Sequence, residues 1–170
     1  MNRFRSPAVF LALALPLLLA GGAAAQQPVP LPFLNAPADR APIRRPPTLG
    51  LSVGGEIHRA VMDTGSTGVV VSATSIAGFE TLPQLGPGEL TYSSSGRVMR
   101  GVYVETPVPL TGADGSRVPT RPIRVLAVTR IDRLNRAPSC RPQEAPRRVA
   151  MLGLGFARRR DLQPGATPAR

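Results

Sequence analysis

The sequence predicts an all-β domain, and three observations favour it. Short runs rich in valine, isoleucine and threonine recur along the middle of the chain, and glycine-containing turns separate them. Beyond the N-terminal leader, no stretch repeats its apolar residues with helical spacing. We place the domain at 48–156, about 110 residues, which is enough for one small hydrophobic core. The expected architecture is a closed or folded β-barrel.

The first predicted strands form a hairpin. Residues 49–53 and 56–62 are separated by two consecutive glycines, which supply the positive φ angles that a tight hairpin turn requires. The later strands are marked by β-branched residues and are predicted at 69–72, 97–105 and 121–128. Between them, 74–79 is predicted to form at most one helical turn.

The N-terminal residues have the three-part pattern of a secretory signal peptide. Arg3 and Arg5 precede an apolar run, and three alanines precede Gln26. The apolar run is shorter than the roughly 20 residues that cross a bilayer, and no later run is longer, so we expect no stable membrane span. The signal peptide is predicted at 1–25, with cleavage near the Ala25–Gln26 bond, and the protein is expected to be secreted or periplasmic.

Irregular sequence flanks and interrupts the predicted domain. Residues 26–47 are rich in proline and alanine, which predicts an extended or disordered lead segment. Residues 157–170 are predicted to be an irregular tail. Within the domain, 136–147 carries three prolines around Cys140 and is predicted to be an exposed loop.

The chain is strongly basic. It has 21 arginines, no lysine and 10 acidic residues, for a formal charge of +11, or about +9 once the leader and its two arginines are removed. Such a charge attracts polyanions. However, an all-arginine set indicates a compositional bias, and aromatic residues at 4% offer no platform for stacking nucleic-acid bases. We therefore expect no nucleic-acid partner and a solvated arginine-rich surface.

The chain contains one cysteine and one histidine. In an exported protein the unpaired Cys140 suggests an intermolecular bridge, a free thiol or a partner lost with missing sequence. His58 and Cys140 are distant in sequence and cannot form a metal site by themselves, so His58 is predicted to be a strand surface residue. No metal and no cofactor are expected.

The candidate catalytic residue stands where the predicted hairpin ends. Three apolar residues lead into Asp63, and the strand then breaks at Thr64 and Gly65. This arrangement presents a carboxylate at the mouth of a core, on a turn whose glycine permits close backbone approach. Taken alone, such a turn also fits an aspartate that only bonds its own backbone in an Asx turn.

The segment 63–66, between apolar residues and a run of valines, resembles the catalytic loop of the pepsin-like and retropepsin-like aspartic peptidases. Three further segments resemble that family in the same order: 51–55 the strand and turn that open a lobe, 91–108 the flap hairpin, and 149–156 the apolar-apolar-Gly segment that runs past the catalytic loop. The resemblance covers 49–156 and implies a single pepsin-like acid-protease lobe of the N-terminal type.

The resemblance also implies a role for each matched residue. Asp63 matches the catalytic aspartate, and Thr64 and Gly65 match the positions whose hydroxyl and backbone N–H hold the carboxylates. Ser66 matches the position whose hydroxyl bonds the outer carboxylate oxygen. Tyr92 matches the flap tyrosine that closes over substrate, although serines replace the glycines that usually follow it and the flap turn is longer.

The implied activity is hydrolysis of a peptide or protein substrate by an aspartic endopeptidase. This class uses two aspartates that share one proton, so that one acts as base and the other as acid toward the attacking water. No aspartate other than Asp63 is followed by Thr-Gly or Ser-Gly. Three explanations stay open: a symmetric homodimer that contributes Asp63 twice, one lobe of a two-lobed enzyme whose second half is missing, or a lone lobe that binds peptide or envelope components without catalysis.

Overall fold

The computed structural model describes residues 27–39, 41–92, 95–135 and 140–155. The predicted signal peptide and tail lie outside the described residues. The strands of the described chain are β1 (Thr48–Val53), β2 (Glu56–Asp63), β3 (Thr67–Ser72), β4 (Gln84–Tyr92), β5 (Arg97–Pro107), β6 (Leu110–Thr111), β7 (Arg117–Val118), β8 (Pro122–Arg133), β9 (Gln143–Glu144) and β10 (Ala150–Leu154). The only helical segments in these ranges are two 3-10 turns, at Ala73–Ser75 and Phe79–Thr81. No helix there is long and apolar enough to cross a membrane.

All ten strands belong to one mixed sheet. Its order is β4-β5-β8-β3-β10-β2-β1-β6-β7, and β9 pairs with β8 outside this path. The all-β prediction is therefore confirmed. The expectation of a closed barrel is wrong, because the end strands β4 and β7 do not pair with each other and the sheet stays open. The β7 end has only two-residue strands, which offer too short a ladder to close against the nine-residue β4.

The opening hairpin forms as its turn predicts. β1 and β2 pair antiparallel, and the last pair joins Val53 to Glu56. Gly54 and Gly55 connect the strands with φ angles of 67° and 101°. Residues with a Cβ rarely adopt such angles, so the two glycines set the turn and with it the register of β2.

The central strands are covered on both faces. In β3, Val69 and Val71 belong to one hydrophobic core and Val70 to a second core. The same alternation occurs in β8, where Val125 packs in the first core and Leu126 in the second. Strands buried on both faces read as continuous apolar runs, which explains the valine-rich sequence of these two strands.

The first core also shows how the sheet bends. It joins Leu51 of β1 to Val104 of β5, although four strands lie between β1 and β5 in the sheet order. The sheet must therefore curve around this core. The lead segment docks here as well, since Phe33 packs against the core and the Leu34 amide donates to the Thr48 carbonyl at 2.8 Å.

The predicted exposed loop at 136–147 is correct for most of its described part, since residues 141–145 and Arg147 are exposed, but it is wrong for Cys140 and Pro146, which are buried. Cys140 is only 9% exposed and packs in the second core, and β9 pairs with β8. An unpaired cysteine behaves as a small hydrophobic residue, and the prolines around it masked that preference in the sequence. Residues 136–139 lie outside the described ranges.

Candidate active site

The loop that carries Asp63 connects β2 to β3 and crosses the end of β10. Asp63 is the last residue of β2, and the chain enters β3 at Thr67. Although β2 and β3 follow each other in sequence, β10 lies between them, parallel to β2 and antiparallel to β3. Gly153 of β10 is the register partner of Asp63. The loop therefore crosses directly over β10.

The crossing is too close for side chains on β10. A Cβ built on Gly153 would lie 2.7 Å from the Thr67 carbonyl carbon, and one built on Gly155 would lie 2.7 Å from the Thr64 carbonyl oxygen. In the same place the Gly155 amide donates to the Ser66 carbonyl at 2.8 Å. These contacts require glycine at both positions, which explains the alternation of leucine and glycine at 152–155.

Three donors hold the Asp63 carboxylate. Its Oδ1 accepts from the Gly65 amide at 2.8 Å. Its Oδ2 accepts from the Ser66 hydroxyl at 2.8 Å and from the Tyr92 hydroxyl at 3.0 Å. Ser66 is only 2% exposed. The loop and the β4–β5 hairpin together therefore fix the orientation of the carboxylate.

These contacts set the ionisation of both partners. Burial raises the pKa of Asp63, but the hydrogen bonds from Ser66, Gly65 and Tyr92 outweigh it and bring the pKa below its ordinary value. Burial also raises the pKa of Tyr92 to about 12, and the bond to the charged Asp63 acts in the same direction, against the opposing effects of Ser66 and Arg97. Around neutral pH the site is thus an ionised carboxylate that accepts from a protonated phenol.

Asp114 is a useful internal comparison. Its Oδ1 accepts from the Ser116 amide at 2.9 Å and from the Ser116 hydroxyl, and these bonds lower the pKa of Asp114. Asp63 has the same local Asx-turn bond, to Gly65. What Asp63 adds is Tyr92, a donor from 29 residues further along the chain.

The structure brings four of the five predicted site residues into one hydrogen-bonded group. The exception is Thr64, which is exposed and whose hydroxyl has no hydrogen bond within the described residues. The sequence reasoning missed Met151, whose sulfur lies 3.5 Å from the Tyr92 hydroxyl oxygen. Its position two residues before Gly153, in the segment that the resemblance placed past the loop, was the available signal.

No group of three or more His, Cys, Asp or Glu side chains in the described ranges is placed to hold a metal ion. His58 lies on β2, and its Nε2 is 2.9 Å from the Ser75 carbonyl oxygen. That oxygen can only accept, so Nε2 carries the proton and is not available as a ligand.

Comparison of the sequence with models of known protein families and with curated proteins finds no match.

Proposed function

We propose that this chain is an exported aspartic endopeptidase with a pepsin-like lobe, in which Asp63 is the catalytic carboxylate and a second copy of the chain supplies its partner. The observation that carries the proposal is the Asp63 carboxylate at the end of β2, held by donors from its own loop and from Tyr92. An Asx turn alone accounts for the Gly65 bond but not for the other two.

The chemistry explains why a second carboxylate is needed. A lone Asp63 with a lowered pKa is ionised, so it can act as a base but has no proton to donate. When two carboxylates lie within hydrogen-bond reach, both cannot ionise, and the pair retains one proton. The ionised member then takes a proton from the attacking water while the other protonates the carbonyl oxygen of the peptide bond.

Two features of the loop favour a partner on its open side. Thr64 and Gly65 are exposed, and the Thr64 hydroxyl makes no hydrogen bond within the described chain. That hydroxyl is therefore free to bond a second copy across a two-fold axis, where each loop meets its own equivalent. The bonds from Gly65 and Ser66 would persist in the pair and stabilise whichever Asp63 is ionised.

The bond between the Tyr92 hydroxyl and Asp63 Oδ2 limits where the attacking water can bind. Its hydroxyl bonds Oδ2, which already accepts from Ser66, so among the described contacts only Oδ1 keeps a free acceptor position. A water that bridges two carboxylates needs an oxygen from each. The proposal therefore requires the Tyr92 hydroxyl to leave Oδ2 or the water to bind Oδ1.

The direct test is hydrolysis of an unfolded protein substrate by the purified protein, from about pH 3 to about pH 7, a window that brackets such dyads. Turnover should appear at acidic pH and fade as both carboxylates are driven to ionise. Asp63→Asn should abolish turnover. The matched control is Asp114→Asn, which removes a carboxylate from a similar turn and should change nothing. A transition-state mimic of the pepstatin type should inhibit the wild-type protein.

Mixing tests the source of the second carboxylate. If the active species is a homodimer that exchanges subunits, an equal amount of Asp63→Asn chain should lower the wild-type rate to about half, because mixed dimers are inactive. When the two chains are unfolded and refolded together, so that subunits must mix, an unchanged rate would contradict the homodimer. Activity that survives Asp63→Ala would contradict the site itself.

The second candidate is a peptide- or envelope-binding module without catalysis. It is favoured by the Tyr92 bond to Oδ2, which occupies the carboxylate in a single copy. This candidate predicts no turnover at any pH and a ligand affinity that Asp63→Asn leaves nearly unchanged. A strict monomer in size-exclusion chromatography, together with no hydrolysis across the window above, would select it over the enzyme.

A further inference from the structure

A cavity lies beside the start of β5, in the β4–β5 hairpin. It has a volume of about 330 Å³ and is lined by the buried side chains of Ile131 and Val149 and by the exposed side chains of Arg97, Arg147 and Arg148. Gln143 and Pro146 complete the lining. The cavity is thus apolar where it is deepest and carries three guanidinium groups where it meets solvent.

These three arginines have no acidic partner among the described residues. The arginine ion pairs found there are made by Arg100 and Arg130, with Glu89 and Asp132. Guanidinium groups stay charged at every accessible pH. Three uncompensated positive charges around one cavity repel each other and attract an anion. An arginine fork also matches the geometry of a carboxylate better than a single point charge does.

The cavity lies on the same side of the sheet as the candidate active site. Arg97 is the register partner of Tyr92, and directly opposed residues of an antiparallel pair point to the same face. At the start of β10, which β8 and β3 separate from β5 in the sheet order, Val149 and Met151 are two residues apart and both pack in the second core, as Tyr92 does. The Met151 sulfur touches the Tyr92 hydroxyl that bonds Asp63.

The strand spacing gives the distance between the two sites. Val149 precedes Gly153, the register partner of Asp63, by four residues, which is roughly 13 Å of extended chain. A peptide bound in an extended conformation with its reacting bond at Asp63 would cover this distance with about four residues.

We propose that the cavity formed by Arg97, Arg147 and Arg148 is a specificity subsite for an acidic side chain, Asp or Glu, of a peptide extended from Asp63 and about four residues from the bond that is cleaved. That this peptide is cleaved rests on the proposed peptidase function, whereas binding of its acidic side chain does not. The guanidinium groups pair with the carboxylate, and the apolar lining receives the methylene groups.

Peptide binding at neutral pH tests the subsite without catalysis. Three octapeptides carry an uncharged fluorescent label and differ only at the position four residues from their central bond. That position holds Glu, Gln or Arg. Fluorescence anisotropy with the purified protein at low salt should show the Glu peptide bound about tenfold more tightly than the Gln peptide, and the Arg peptide bound most weakly. Raised salt should shrink the difference, because the groups are exposed.

Matched variants locate the effect. Arg97→Gln and Arg148→Gln should each reduce the Glu-to-Gln preference about threefold. The control is Arg117→Gln, which removes the same charge from β7 at the opposite end of the sheet and should leave the preference unchanged. Equal binding of the three peptides, no binding of the Glu peptide, or an equal effect of Arg117→Gln would overturn the subsite.

Hydrolysis separates this proposal from the proposed function. If the chain is a peptidase, kcat/KM for a Glu substrate relative to its Gln counterpart should rise as pH increases through about 4.3, where the substrate carboxylate ionises. Cleavage with no Glu preference at any pH would overturn the subsite and leave the peptidase intact. Glu-selective binding without cleavage would overturn the peptidase and leave the subsite intact.

Discussion

Replacing the buried Gly153 with alanine should destabilise the protein. The new Cβ would lie 2.7 Å from the Thr67 carbonyl carbon and 2.8 Å from the Gly68 oxygen, about 0.6 Å or more inside ordinary contact distance. Overpacking of this kind costs about 1–3 kcal/mol. Because the opposing atoms are backbone and cannot rotate away, we expect the upper end, about 3 kcal/mol.

Urea unfolding measures this cost. With a slope of about 1.5–2 kcal/mol per molar for a small domain, the midpoint should fall by roughly 1.5–2 M. The control is Gly115→Ala, where φ is 83° and a Cβ meets nothing within 4 Å. It should lose only about 1 kcal/mol, from the left-handed backbone alone. A Gly153→Ala midpoint no lower than that of Gly115→Ala would refute the close crossing of β10 beneath the Asp63 loop.

Three further predictions concern ionisation and export. Since the folded-state pKa of Asp63 is lowered, its charge stabilises the fold above about pH 3.9, and this contribution is lost as pH falls through the folded-state pKa. Ser66→Ala should therefore be less stable than the wild-type protein in urea unfolding at pH 6, and the difference should vanish in strong acid. A difference that stays constant with pH would contradict this. In a Tyr103→Phe chain, ultraviolet absorbance should show the Tyr92 hydroxyl half-ionised at about pH 12, and stability should be lost between about pH 10 and 12. Half-ionisation near pH 10 would contradict the burial of Tyr92 and its bond to Asp63. Intact mass of protein recovered outside the cytoplasm should correspond to a start at or near Gln26, and a retained leader would contradict export.

Local turn chemistry made much of this fold predictable. Gly54 and Gly55 identify the first hairpin because its turn needs positive φ angles, which residues with a Cβ rarely adopt. The valine runs of β3 and β8 identify buried strands because both of their faces are covered. The contact between Asp63 and Tyr92 was expected only through the resemblance to a family, because no local rule joins residues 29 apart.

Long-range pairing accounts for what was not predicted. β4 contains two glycines and a proline, so its sequence has no strand signal of its own, and it forms a strand because β5 provides a partner along its length. The burial of Cys140 depends in the same way on the second core. Whether the sheet closes depends on the length of its end strands, which a list of separate strand signals does not contain.

The cost of the Asp63 site argues that it is kept for more than stability. Asp114 shows that a serine and a backbone amide suffice to satisfy a turn aspartate. Around Asp63 the chain also buries Ser66, brings the Tyr92 hydroxyl onto an already bonded oxygen, and places Gly153 in a strand interior where glycine is unfavourable. The buried serine and the glycine in a strand interior conflict with what local propensity would select. Such conflicts concentrate at functional sites, because there the geometry of a reactive group outweighs the stability that a simpler arrangement would provide. Their presence around a carboxylate that also receives a donor from 29 residues along the chain is the physical reason to test Asp63 first.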